Sequence, residues 1–101
     1  MNAREWVYTN KGKKIQLITY LMPEHEINGE EIKGILESFN FHDWGFEACI
    51  ELIPKSNNAH VIPNYPGIYP ENLGFVVDNI AFFNYRQTNG TQVRLECALL
   101  D

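Results

Sequence analysis

Long apolar runs are missing from this chain, and no stretch approaches the roughly 18 apolar residues that a membrane-spanning helix requires. The first ten residues, MNAREWVYTN, also lack the apolar core of a secretory signal peptide. We therefore expect a cytoplasmic protein that makes no contact with a membrane.

Cysteine is scarce: the chain has Cys49 and Cys97, and each lies inside a predicted strand. Two cysteines do not make the disulfide framework of a small secreted domain, so we expect two buried thiols in the reduced state. No pair of Cys or His residues has the short spacing of a zinc site, and the glycines do not have the spacing of a phosphate-binding loop. We therefore expect neither a structural metal nor a cofactor.

Basic residues are also few, since 8 Lys and Arg stand against 13 Asp and Glu and the formal net charge is −5. A negative net charge repels phosphate backbones, which disfavours direct binding of nucleic acid. Eight of the acidic residues lie between residues 15 and 54, where Lys33 is the single basic residue. Acidity concentrated in this way either covers a solvated face or attracts a basic protein partner.

Hydrophobic residues make up 45% of the 101 residues, which is enough to bury the core of a single domain spanning residues 1–101. Runs of apolar and β-prone residues predict strands at 6–10, 15–22, 46–53 and 73–77, and we expect the first two to form a hairpin. Residues 15–22 are apolar on both faces, which is typical of a central strand. A short helix starting at Pro70 is the alternative to the strand at 73–77.

The stretch 29–40 has the spacing of an amphipathic helix. Asn28 followed by Glu31 has the form of a capping box, and apolar residues then recur at helical spacing, at Ile32, Ile35, Leu36 and Phe39. Residues 54–72 hold four prolines, which exclude a central strand over most of that length, although residues 60–62 can add a short edge strand. The predicted fold is α+β, a mainly antiparallel sheet of five to six strands with one amphipathic helix packed on it, in the order β-β-α-β-loop-β-β-β.

The last predicted hairpin, residues 79–100, turns at Asn89-Gly90, which is the strongest short-range hairpin signal. A two-residue loop pairs Thr88 with Thr91, whereas a three-residue loop that ends in a positive-φ glycine pairs Gln87 with Thr91. We favour the second register because it collects more consistent apolar pairs. It places Ala81, Phe83 and Tyr85 opposite Cys97, Leu95 and Val93.

Candidate catalytic groups are sparse. His42 and His60 each offer a general base for a small enzyme with a pocket between helix and sheet, yet no motif places a Ser or Cys nucleophile. Glu24-His25-Glu26 could bind a metal weakly at the surface. Tyrosines on the rigid proline turn at residues 65–69 are suited to anchor an interface, or they fold back to cap an open end of the sheet.

In its size and in the acidity of residues 24–51, the chain resembles bacterial immunity proteins, including those of contact-dependent growth inhibition systems, which bind and neutralise toxins. This resemblance implies a cytoplasmic, non-catalytic inhibitor whose partner is a basic toxin domain such as a nuclease, and it assigns no individual site residue. From the residues themselves we predict the partner-binding set Glu24, Glu26, Glu30, Glu31, Asp43, Trp44, Glu47, Glu51, Tyr65 and Tyr69.

Three alternatives remain open at this point. The first is the small α+β enzyme or ligand-binding protein, and the second is a phage-encoded inhibitor of a nucleic-acid-binding defence enzyme. The third is an oligomer, in which the strand at residues 15–22 or the terminal hairpin pairs with another copy of the chain.

Overall fold

The computed structural model describes residues 1–28, 31–42, 45–52, 58–61, 69–70, 74–86 and 90–100, with side chains at 1–28, 31–38, 74–86 and 90–100. In these residues the chain forms one helix, α1 (Ala3–Thr9), and the strands β1 (Lys14–Met22), β2 (Glu26–Ile27), β3 (Ile32–His42), β4 (Gly45–Leu52), β5 (Asn58–Val61), β6 (Tyr69–Pro70), β7 (Phe75–Val77), β8 (Ile80–Arg86) and β9 (Gln92–Leu99). Six of these strands have four residues or more. All the strand pairings are antiparallel, so the predicted α+β class with one helix and a mainly antiparallel sheet is confirmed. Within the described ranges, no helix has the length and hydrophobicity to cross a membrane.

Helix α1 begins with a capping box at Asn2. The Glu5 N–H donates to Asn2 Oδ1 over 2.8 Å, and the Asn2 N–H donates to Glu5 Oε1 over 3.0 Å. The predicted strand at residues 6–10 and its hairpin with the next strand are therefore wrong, because the cap and the helical spacing of the apolar residues outweigh the local β propensity. The buried stripe of the helix consists of Ala3, Trp6 and Val7.

The segment after α1 fastens the helix to the sheet. Asn10 is buried: its Nδ2 donates to Trp6 O over 2.9 Å, and its Oδ1 accepts a hydrogen bond from Lys13 Nζ over 3.1 Å. The Gly12 N–H donates to Leu36 O in β3 over 2.7 Å. These bonds satisfy the polar groups at the helix end, which would otherwise be buried without partners.

Strand β1 lies in the centre of the sheet, whose order is β5-β4-β3-β1-β9-β8-β6, with β2 beside β1 and β7 beside β8. The prediction of a central strand at residues 15–22 is confirmed. Strand β1 pairs with β9 on one edge and with β2 and β3 on the other. Both edges of β1 are thus occupied within the chain, and the oligomer hypothesis stays a prediction.

Strand β3 occupies the stretch in which the spacing predicts a helix, so the helix at residues 29–40 and its cap at Asn28 are wrong. The inner residues of β3 also alternate with period two, and among them Leu36 is 1% exposed. Strand β3 pairs with β1 on one edge and with β4 on the other, so its backbone groups complete the ladders of two neighbours. The predicted order is wrong as well, because the helix precedes the first strand.

The terminal hairpin, formed by β8 and β9, has the register that pairs apolar residues, and this prediction is confirmed. Gly90 has a φ of +92°, which a glycine tolerates without strain. The six paired inner side chains are at most 2% exposed, so burial of apolar area selects this register. Ala81 lies opposite Cys97, Phe83 opposite Leu95, and Tyr85 opposite Val93.

Asp78 and Asn79 turn the chain from β7 into β8. Their φ angles are 51° and 60°, and the flanking residues are directly paired, so they form a two-residue turn of type I′. Strand β7 confirms the strand predicted at residues 73–77 over its last three residues. Pro70, where the alternative helix was expected to start, lies in β6.

Strands β4 and β5 extend the sheet beyond β3. Strand β4 confirms the strand predicted at residues 46–53, and β5 confirms an edge strand in the proline-rich segment, beginning two residues before the predicted 60–62. Strand β4 also contacts β6, which lies at the opposite end of the sheet, so the sheet is curled. We call the face that α1 covers the inner face. The core on this side consists of Ala3, Trp6, Val7, Ile15, Leu17, Leu36, Ala81, Phe83, Tyr85, Val93, Leu95 and Cys97.

Candidate functional site

The face of the sheet opposite α1, here called the outer face, is the candidate site. Helix α1 packs against β3, β7 and β8 on the inner face. None of the described elements packs on the outer face. Three apolar side chains of the outer face are exposed, Ile27 at 58%, Val77 at 50% and Phe75 at 38%. A surface that none of the described elements covers and that presents apolar and aromatic groups is typical of a binding site. Its half-buried residues include Ile18, Tyr20, Met22, Ile80, Phe82, Asn84, Arg94 and Glu96.

Arg94 forms one cluster on this face with two phenylalanines and an asparagine. Phe75 and Phe82 lie opposite each other on β7 and β8, and their rings stack with centroids 4.9 Å apart and 11° between planes. The Arg94 guanidinium carbon lies 5.8 Å from the Phe75 centroid and 5.5 Å from the Phe82 centroid, within range of cation–π attraction. Arg94 Nε donates to Asn84 Oδ1 over 3.0 Å. Three residues from β7 and β8 thus hold the Arg94 guanidinium in place, and we call these four residues the Arg94 cluster.

Tyr20 forms a second cluster, where β1 meets the turn that leads to β2. The His25 ring stacks on the Tyr20 ring with centroids 3.8 Å apart and 16° between planes. His25 Nε2 lies 2.7 Å from Glu96 Oε2, and the two side chains are 49% and 16% exposed. His25 also takes a positive φ of 59°, which directs the chain back along β1. We call Tyr20, His25, Glu31 and Glu96 the Tyr20 corner.

The electrostatic environment of the Tyr20 corner is negative. Partial burial raises the pKa of the Tyr20 phenol, and the carboxylates of Glu96 and Glu31 raise it further. Both carboxylates thus oppose ionisation of the same phenol. A cation at this corner would interact favourably with this negative charge.

Three of the acidic residues predicted to bind a partner lie near the Tyr20 corner in the chain or within it. Glu24 and Glu26 flank His25, and Glu31 raises the pKa of Tyr20, but Glu26 pairs with Leu21 and therefore lies on the inner-face side of β2. All three side chains are exposed, and within the described part of the chain none of them forms an ion pair. Their charge is consequently available to a partner.

A pocket of about 200 Å³ opens on the outer face next to the Arg94 cluster. Its position follows from the pairing of β9, which sets Arg94 between Tyr20 and Asn84, and Gln92 between Met22 and Arg86. Its lining is mainly polar and consists of Met22, Asn84, Gln92 and Arg94.

The remaining predicted partner-binding residues are not brought to the Tyr20 corner by the described structure. Glu47 and Glu51 lie on β4, opposite Asn40 and Ile35, and their side chains lie outside the described ones. Tyr69 lies on β6 opposite Arg86, and its side chain is likewise not described. The residues that lie wholly outside the described part are Glu30, Asp43, Trp44 and Tyr65.

The candidate catalytic histidines lie on different strands, β3 and β5, which are separated by β4. His42 ends β3 opposite Gly45, and His60 lies in β5 opposite Cys49. The side chains of both histidines lie outside the described ones, so their catalytic role stays a prediction. Among the described residues, no group of three His, Cys, Asp or Glu side chains could hold a metal ion.

Cys97 is a free thiol in the core, and burial raises its pKa. A raised pKa keeps the thiol protonated at neutral pH, which disfavours a role as nucleophile or metal ligand. Cys97 therefore belongs to the inner face and takes no part in the candidate site.

Sequence reasoning missed Tyr20, Arg94 and Glu96 as members of one site. The alternation along β9 does place Arg94 and Glu96 on its polar face, and this signal was visible. Their approach to Tyr20 and His25 depends on the register between β1 and β9, which no local pattern reports.

The chain is thus an α+β protein with a curled antiparallel sheet, one helix on its inner face and a polar and aromatic site on its outer face. Comparisons with known protein families, curated proteins and solved structures found no match.

Proposed function

We propose that the protein is a non-catalytic inhibitor that binds a basic protein through the Tyr20 corner and the acidic side chain of Glu24 beside it. The observation that carries this proposal is the geometry of the corner, where the His25 ring stacks on Tyr20 and His25 Nε2 lies 2.7 Å from Glu96 Oε2, with the exposed carboxylate of Glu24 next to His25 in the chain. Like charges crowded together repel one another and cost stability. A cationic partner removes this repulsion when it binds, which favours the complex.

The Tyr20 corner offers a cationic side chain three kinds of contact. The exposed carboxylate of Glu31 can accept charge-assisted hydrogen bonds from Arg or Lys, and Glu96, which is held by His25, adds negative charge beside it. The stacked rings of Tyr20 and His25 present a flat surface on which a guanidinium packs well. Ile27, which is opposite Tyr20 and 58% exposed, adds apolar area at the edge. A partner that presents an arginine beside apolar residues fits this arrangement.

The partner class that we propose is a basic toxin domain, met in the cytoplasm. Nucleases bind phosphates with clusters of Arg and Lys, and an acidic protein surface can occupy such a cleft by the same electrostatics. The resemblance to immunity proteins supports this choice. A phage-encoded inhibitor of a nucleic-acid-binding defence enzyme would use the same surface chemistry, and the identity of the partner distinguishes the two.

The test uses the carboxy-terminal domain encoded by the neighbouring gene, because a toxin and its immunity protein are expected to be encoded side by side. We expect co-expression to abolish the toxicity of that domain. Calorimetry should show binding that weakens as the NaCl concentration rises, since salt screens the charges.

The charge contribution is tested by replacing Glu24 and Glu31 together with Gln. This variant should bind about tenfold or more weakly, mainly through slower association. The matched control is Asp78→Asn, which removes one exposed acid at the β7–β8 turn, where Asn tolerates the positive φ. If the domain does not bind, or if the Gln variant binds as tightly as the wild type, the proposal is wrong.

A further inference from the structure

The pocket beside the Arg94 cluster has a composition that differs from the Tyr20 corner. Its lining has one cation, Arg94, the side-chain amides of Asn84 and Gln92, and the thioether of Met22. Among the lining residues that the structure describes, none is a carboxylate. The pocket is therefore rich in hydrogen-bond donors, and an anion is the ligand class that such a lining favours.

The Arg94 guanidinium is held so that its terminal nitrogens remain available. The contact with Asn84 Oδ1 uses Nε, and the stacked Phe75 and Phe82 rings fix the position of the group. Among the described residues, no carboxylate forms an ion pair with Arg94, and the nearby Glu96 is engaged by His25. Arg94 thus keeps two terminal nitrogens, Nη1 and Nη2, for a ligand.

A half-buried cation that forms no ion pair is unfavourable in the free protein. Arg94 has lost part of its hydration, and within the described part of the chain no carboxylate pairs with it to compensate for that loss. An anion that enters the pocket restores the missing interaction. Because the guanidinium is already oriented, little further ordering opposes binding.

The amides define the rest of the ligand contact. Since Asn84 Oδ1 accepts from Arg94, the amide nitrogen of Asn84 remains as a donor, and the Gln92 amide can donate as well. The volume of about 200 Å³ compares with the ~30 Å³ that one water molecule occupies in the liquid, so a group of several heavy atoms fits. A guanidinium with two terminal N–H groups side by side matches a carboxylate in bidentate geometry.

We infer that this pocket binds a carboxylate group, held by the terminal nitrogens of Arg94 and by the amides of Asn84 and Gln92. The carboxylate comes either from a small free acid or from the side chain of a polypeptide. This inference does not rest on the basic partner proposed above, because it concerns a different charge and different residues.

The experiment is a titration followed by two-dimensional ¹H–¹⁵N NMR, including the Arg Nε–H signals, at constant pH and ionic strength. Sodium succinate serves as the free carboxylate, and N-acetyl-glutamate N-methylamide serves as the side chain of a polypeptide. Saturable shifts at Asn84, Gln92 and Arg94 Nε, with millimolar affinity, are the expected result.

Two variants test the role of the pocket. Arg94→Gln removes the cation, and Gln92→Glu introduces a carboxylate that competes with the ligand for the terminal nitrogens of Arg94. Each should weaken binding at least about tenfold. Lys33→Gln is the matched control, because Lys33 is an exposed cation that lies opposite Gln16 and outside the pocket, and it should leave the affinity unchanged.

The outcomes separate the two sources of the carboxylate. Saturable binding of succinate supports a small free acid, whereas binding of the blocked glutamate alone supports a carboxylate carried by a polypeptide. If neither probe saturates, or if Arg94→Gln and Gln92→Glu both bind as the wild type does, the inference is overturned. Failure of the toxin-domain experiment would leave this result unaffected, since no toxin domain is present in the titration.

Discussion

The indole Nε1 of Trp6 donates a hydrogen bond of 2.9 Å to Oδ1 of Asn79, 73 residues further along the chain. Trp6 is 1% exposed in the core. Asn79 takes its positive φ in the type I′ turn between β7 and β8. This bond joins helix α1 to the tip of a hairpin and satisfies the single N–H of a buried indole.

Removing this bond should destabilise the protein in a way that urea denaturation can measure. Asn79→Gly keeps the positive φ and deletes the acceptor, so the free energy of unfolding should fall by about 1 kcal/mol. Trp6→Phe deletes the donor and leaves a cavity, with an expected loss of about 2–3 kcal/mol. The double variant should lose less than the two single variants combined, because both remove the same bond. Strictly additive losses would show that the bond contributes nothing.

Gly74 should not tolerate a side chain. Its φ is +77°, and a Cβ at this position would lie 2.5 Å from the Phe82 carbonyl oxygen and 2.6 Å from Ala3 Cβ. Gly74→Ala therefore adds steric overlap to backbone strain, and should lower the free energy of unfolding by about 3 kcal/mol.

Gly12→Ala is the matched control for Gly74→Ala. Gly12 also has a positive φ, +90°, but a Cβ there would meet no atom within 4 Å. This variant should lose about 1 kcal/mol, from backbone strain alone. Equal thermal or urea stabilities for the two variants would contradict the close packing of β7–β8 against α1.

Stability should fall at alkaline pH because of Cys97. Burial raises the pKa of its thiol above the ordinary value of 9.0. Above about pH 9 the unfolded thiol loses its proton while the folded thiol keeps it, so the folded state binds more protons and the free energy of unfolding falls as pH rises. The stabilising contribution is thus complete below about pH 9 and is lost above it.

The Cys97 contribution can be isolated with Cys97→Ala, measured by urea denaturation at several pH values. Wild type should lose up to about 1.4 kcal/mol per pH unit more than the variant above pH 9, since one proton is involved. Tyr85, whose pKa burial also raises, adds a similar loss above its ordinary value of 10.0 in both proteins. Parallel pH profiles for wild type and variant would contradict the assignment to Cys97.

The pKa of Tyr20 should respond to removal of the nearby negative charges. Glu96→Gln and Glu31→Gln each remove a negative charge that opposes ionisation of the phenol, so each should lower the pKa of Tyr20. The phenol ¹³Cζ resonance, followed by NMR as pH rises, measures this change. Asp78→Asn serves as the control and should leave the titration of Tyr20 unaltered. An unchanged pKa of Tyr20 in both Gln variants would contradict the effect of Glu96 and Glu31 on the Tyr20 phenol.

Local signals predicted the terminal hairpin well and the position of the helix badly. The Asn-Gly turn and the strict alternation along β9 agree with each other, so the register of β8 and β9 could be chosen before the structure was known. An Asn followed three residues later by Glu occurs at residues 2–5 and again at 28–31. The first pair caps α1, whereas the second precedes a strand.

The segments that follow these two Asn–Glu motifs differ in whether neighbouring strands can hydrogen-bond to their backbone. Residues 32–42 have partners on both sides, β1 and β4, and a ladder on each edge outweighs a helical spacing that also fits a strand. Residues 3–9 pair with no described strand, and their apolar stripe is buried against the sheet instead. A capping motif therefore marks a helix only where no ladder competes for the same residues.

The sequence could predict which acidic residues belong to the candidate site, but it could not predict how they are arranged. Glu24 and Glu31 could be named because a run of acidic residues is a property of the chain itself. The membership of Tyr20, His25 and Glu96 could not, because their contacts join residues far apart in sequence.

By itself, the sequence determined the alternation along each strand, the terminal turn and the sign of the charge, since these follow from neighbours in the chain. The tertiary structure alone decided that residues 32–42 form a strand, and that Tyr20 and Asn84 both lie beside Arg94. The physical reason is that the register between distant strands is set by burial of the whole inner face, to which every strand contributes at once. A site on the outer face is assembled as a consequence of that burial, so its members carry no shared local signal.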